Sequence, residues 1–138
     1  MAAAPRSFAS SARTIHAFLI ASTLIVSTGA FVTIRSTGRF VTGMTPLELV
    51  ALLVGASVLL LIYLLRSRLP TRGAGQSTDA WWQLNLGKAV LLWALFEFSA
   101  LLGAVTLFAT RALLGFGILT FVALGGLVLL SPARLAAE

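Results

Sequence analysis

The chain has 138 residues, a net charge of +6 and no cysteine, with 59% of its residues hydrophobic and 10% charged. A water-soluble domain carries about 25% charged residues, so this composition excludes a small soluble particle and sets a lipid bilayer against much of the surface. Disulfides and thiolate chemistry are excluded with cysteine, a histidine-rich metal site is excluded because His16 stands alone, and the basic residues lack the aromatic interleaving of a nucleic-acid surface; no metal, cofactor or nucleic acid is expected.

A membrane-crossing helix needs about 20 mostly apolar residues, and four segments meet that requirement. The first covers residues 15–34. Arg6 and Arg13 precede it in the manner of a signal peptide, with Thr28-Gly29-Ala30 as a weak cleavage sequence, but its length favours an uncut span. The second covers residues 46–65. There Thr45 can cap, Pro46 suits the first helical position and Glu48 falls where a capping-box carboxylate belongs. Residues 66–86, with Pro70, Gly73 and Gly75, read as a polar loop. Trp81 and Trp82 after it, and Tyr63 before it, are expected as anchors in the headgroup layer.

The third and fourth segments, residues 89–109 and 112–130, are separated only by Thr110-Arg111. One helix of about forty apolar residues would be too long for a bilayer, so a tight hairpin is expected there. The basic residues Arg6, Arg13, Arg66, Arg68, Arg72, Lys88 and Arg134 outnumber Arg35, Arg39 and Arg111 on the other side. That bias predicts cytoplasmic termini. The expected fold is all-α: a polytopic membrane protein of four transmembrane helices in one antiparallel bundle.

Glu97 falls near the middle of the third segment, where a carboxylate costs several kcal/mol. Lys88 is nine positions away, roughly 13 Å along a helix, so a partner has to come from another helix. His16, Thr23 and Ser27 are spaced by seven and four and share one face of the first segment. Counted from the same side, Glu97 falls between Thr23 and Ser27, so this stripe is expected to face it, with His16 nearer the surface. The cluster then reads either as an interhelical clasp or as an ion-carrying site. The pairs Ser99 and Gly103, Ala100 and Ala104, and Ala51 and Gly55 are each four apart and favour close helix contacts, and the fourth segment adds Gly115, Gly117, Gly125 and Gly126.

The run Ala94-Leu95-Phe96-Glu97-Phe98-Ser99-Ala100-Leu101-Leu102-Gly103 resembles the carboxylate helix of the ATP synthase rotor-ring proteolipid. The resemblance implies an ion-carrying role for Glu97. It is partial: the preceding segment has one glycine, Gly55, where that family has a glycine-repeat helix, and a further span follows Glu97. The whole chain also resembles uncharacterised four-helix bacterial membrane proteins, which implies a bacterial inner membrane.

No paired carboxylates, metal-ligand cluster or phosphate-cradling glycine loop is present, so no enzyme is expected. The leading expectation is a non-catalytic accessory or structural subunit that packs against other membrane subunits or its own copies. Proton or cation translocation through Glu97 is the alternative, and a small oligomeric transporter the second.

Overall fold

The computed structural model describes residues 7–137, so Arg6 lies outside it. Five helices follow in order: α1 (Phe8–Thr37), α2 (Pro46–Arg66), α3 (Thr78–Thr110), α4 (Leu113–Leu129) and the short α5 (Pro132–Leu135). No strand is present among the described residues, only an isolated pairing of Val41 with Ala112. Helices α1, α2 and α3 are long and apolar enough to cross a membrane, while α4 is a shorter apolar helix of 17 residues. The chain is therefore all-helical with the makings of a membrane protein.

The helix starts follow local chemistry. Ser7 accepts a hydrogen bond from the Ser10 N–H and Ser77 from the Ala80 N–H. Thr45 and Glu48 form the reciprocal capping box expected of their spacing. The loop between α2 and α3 is shorter than expected, because α3 begins at Thr78 and not near Ala89. Its first three turns are polar enough to escape a hydropathy reading, yet Ser77-Thr78-Asp79 is a strong start signal.

The turn at Thr110-Arg111 is tight, as expected. Arg111 ends α3 in the left-handed region at φ 58°, and its N–H reaches the Leu107 carbonyl. That conformation costs a non-glycine residue roughly 1–2 kcal/mol. The surrounding contacts hold it: the Arg111 carbonyl accepts from the Val41 N–H at 3.0 Å, which ties the α1–α2 loop to the hairpin.

Helix α3 is central and packs against α1, α2 and α4. Two apolar clusters fill the bundle. One joins Ala12, Leu92, Trp93, Phe96 and Leu127 near the chain ends, and the other joins Ala30, Ile34, Ala104, Leu107 and Phe116 near the α3–α4 turn. Between them lie Thr23, Ser27, Ser99, Ala100, Gly103 and Ala123, all buried. Small side chains let the backbones come close there. A Cβ on Gly103 would stand 3.4 Å from the Phe116 backbone, and one on Gly126 would overlap the Phe96 ring.

Both described ends of the chain lie at the same end of the bundle, since α5 packs on α1 and Leu135 and Ala136 share a cluster with Ala12. Trp81 and Trp82 belong to that cluster too, each only 1% exposed. The extended α3 carries both rings inside the protein, where they pack edge to face at 4.9 Å. The Trp81 indole N–H donates to the Pro70 carbonyl, which seats the loop. Tyr63 does point outward, at 70% exposure.

Candidate functional site: carboxylates at the helix seams

Glu97 lies on α3 at its seam with α1, and its carboxyl accepts a hydrogen bond from the Ser22 hydroxyl. Both residues are only partly buried. On either side of Ser22 at helical spacing stand Phe18 and Ile25, 70% and 71% exposed, and Phe98 and Leu101 beside Glu97 are exposed as well. The pair therefore opens onto the outside of the bundle within an apolar surface.

The expected partners behave differently. His16, Thr23 and Ser27 share the inward face of α1, as their spacing requires. The hydroxyls of Thr23 and Ser27 have no hydrogen-bond partner, and neither meets Glu97. The hydroxyl that does is Ser22, one position before Thr23. A helix face predicts burial, but a long side chain at a seam meets the edge of the neighbouring face. His16 is buried, at 8% exposure. Its Nε2 is 2.8 Å from the Leu127 carbonyl, which accepts only, so Nε2 carries the proton. Its ring stands edge-on to Trp93 at 4.9 Å.

That contact belongs to a second arrangement, around α4. This helix has no side-chain cap of its own at Ala112. Glu48 supplies one from α2: besides its capping-box bond with Thr45, it accepts the Gly115 N–H at 2.9 Å. The carboxyl is wholly buried and closes the N-termini of two helices at once, where their dipoles favour negative charge. Gly115 leaves it room, since a Cβ there would stand 3.2 Å from Oε1. At the other end His16 takes the Leu127 carbonyl, and the Trp93 indole N–H takes the Leu130 carbonyl at 2.7 Å. Helix α4 is thus closed at both ends by side chains of α1, α2 and α3.

Asp79 repeats the device at the chain-end side of the bundle. From the first turn of α3 it accepts the Ala9 N–H of α1 at 3.0 Å. Glu48 and Asp79 each bridge two helix starts, and among the described carboxylates Glu97 is the one with no capping duty. Sequence spacing identified the local cap of Glu48 but carried no signal for its second partner, 67 positions away.

The register of α1 and α3 brings the charges into two belts. Ser22 and Glu97 are 75 positions apart, and so are Arg13 and Lys88, while Arg35 and Arg111 are 76 apart. The interval between belts, Arg13 to Arg35, is roughly 33 Å of helix. Glu97 and Ser22 fall inside it. Among the described residues no cluster of His, Asp and Glu fits a metal ion. No protein-family model, curated protein or solved structure matches this chain.

Proposed function

We propose that the protein is a non-catalytic subunit of the membrane, a four-span bundle that docks onto a second membrane protein through the α1–α3 face carrying Glu97. Helix α4, roughly 26 Å long at 1.5 Å per residue, lies at the lower limit for a span and is counted as the fourth. The spacing of the two basic belts approximates the ~30 Å hydrocarbon core. The end of the bundle holding Arg13, Arg66, Arg68, Arg72, Lys88 and Arg134 is the cytoplasmic side, by the bias of basic residues. A bacterial inner membrane remains the setting implied by resemblance.

The observation that carries the reading is the outward opening of the Glu97–Ser22 pair. A carboxyl facing lipid at that depth costs several kcal/mol, and a single hydroxyl satisfies only part of its hydrogen-bonding capacity. A polar group on a partner, set among the exposed Phe18, Ile25, Phe98 and Leu101, completes it. The partner is another membrane protein or a second copy of this chain.

A photo-reactive residue in place of Phe98, tested in native membranes, checks this. The expected result is a discrete protein adduct that is lost when Glu97→Leu is added, whereas the same residue in place of Leu60 on α2 gives lipid adducts. Equal, diffuse labelling at both positions sinks the proposal. An adduct of twice the chain mass identifies the partner as a second copy.

The second reading is proton or cation translocation. It is favoured by the access to Glu97 from outside the bundle and by the unpartnered, buried hydroxyls of Thr23 and Ser27 on the inward face of α1. Flux in proteoliposomes that Glu97→Gln abolishes would support it, and flux equal to that of empty vesicles would end it.

A further inference from the structure

The chain-end side of the bundle holds a pocket of about 250 Å³. Its lining comes from four separate segments: Ala9 and Arg13 of α1, Arg72 of the α2–α3 loop, Thr78 and Trp82 of α3, and the stretch around α5. Arg72 is held in place there, its Nη1 donating to the Thr78 hydroxyl at 2.6 Å. Asp79, next to Thr78, is engaged with the Ala9 N–H and does not line the pocket. Among the described residues, the charged side chains of the lining are both guanidiniums.

The remaining walls are apolar. Trp82 is buried, and Pro132, Ala133, Ala136 and Ala137 close the other side with little bulk. Planar guanidinium forks match phosphate oxygens and tolerate partial desolvation better than an ammonium. A small hydrated anion gains nothing from an indole and alanine wall, whereas the glycerol region of an amphiphile does. Depth agrees: Arg13 belongs to the basic belt that marks the edge of the hydrocarbon, so the pocket sits at headgroup level.

We propose that this pocket binds the phosphate group of an anionic phospholipid, with Arg13 and Arg72 as its two ligands. The inference rests on membrane placement and not on docking through Glu97. Glu97→Gln leaves lipid retention unchanged, so either proposal can fail while the other stands.

The test uses the full chain extracted in mild detergent, with retained lipid read by native mass spectrometry. Phosphatidylglycerol is expected to be retained in preference to phosphatidylcholine. Arg13→Gln with Arg72→Gln weakens phosphatidylglycerol retention by about 30-fold, while Arg35→Gln at the opposite belt has no effect. Ala133→Trp, which fills the pocket and keeps both charges, produces the same loss if the double variant does not fold. Equal retention of the two lipids, or undiminished retention in both pocket variants, overturns the proposal. Displacement of the lipid by inorganic phosphate alone assigns the pocket to the free ion and overturns the lipid assignment.

Discussion

Replacing Glu48 with alanine removes one side chain and opens two helix starts. The Thr45 N–H at 3.0 Å and the Gly115 N–H at 2.9 Å both lose their acceptor. An orphaned buried N–H costs about 1–3 kcal/mol, and the lost charge at two dipole ends adds to that. Glu48→Ala is therefore expected to destabilise the fold by about 3–4 kcal/mol. Glu48→Gln keeps the shape and one carbonyl oxygen, and is expected to cost about half as much. The assay is reversible unfolding in mixed micelles, followed by circular dichroism. A second substitution isolates the contact. Gly115→Ala crowds Glu48, with a Cβ 3.2–3.4 Å from three of its atoms, but keeps only the 3.4 Å contact with Cβ once Glu48 is alanine. The cycle should show Gly115→Ala more favourable by about 1 kcal/mol in the Glu48→Ala background. Additive effects, or a Glu48→Ala cost below about 0.5 kcal/mol, would show that Glu48 does not hold α4.

Three further outcomes are expected in the same assay. Trp93→Phe removes the donor to the Leu130 carbonyl and part of a buried ring, and should cost about 2 kcal/mol, with loss of edge-on contact to His16 visible in the near-ultraviolet spectrum. Gly126→Ala drives a methyl group into the Phe96 ring and should cost about 1–3 kcal/mol; Phe96→Leu in the same chain should recover part of it, and an uncoupled pair would contradict the packing. Arg111→Gly relieves the left-handed strain and should be neutral or stabilising by up to about 1 kcal/mol, whereas Arg111→Val at that position should destabilise.

The helical architecture was legible because hydropathy reports it directly: runs of apolar residues interrupted at Thr45-Pro46, Pro70 and Ser131-Pro132 leave few alternatives. What hydropathy misses is helix that continues beyond the apolar run. Residues 78–88 hold Asp79, Gln83, Asn85 and Lys88 among their apolar members, so the start of α3 was placed too late, and the burial of Trp81 and Trp82 was not foreseen. The candidate site was half legible. Glu97 stood out by depth, and the inward face of α1 by its seven-and-four spacing. Which hydroxyl meets the carboxyl depends on how two helices cross, and one-dimensional spacing does not contain that angle. The reach of Glu48 to Gly115 is hidden for the same reason.

The closure of α4 by its neighbours has a consequence for biogenesis. A nascent chain that has emerged only through α3 already carries Glu48, His16 and Trp93, but not the Gly115 N–H or the Leu127 and Leu130 carbonyls that they serve. Until α4 arrives, three polar groups lack part of their complement, and a chain truncated before residue 113 keeps that defect permanently. Completion of the chain is thus built into the chemistry of the bundle, and an unfinished copy keeps unpaired the polar groups that a finished one has satisfied.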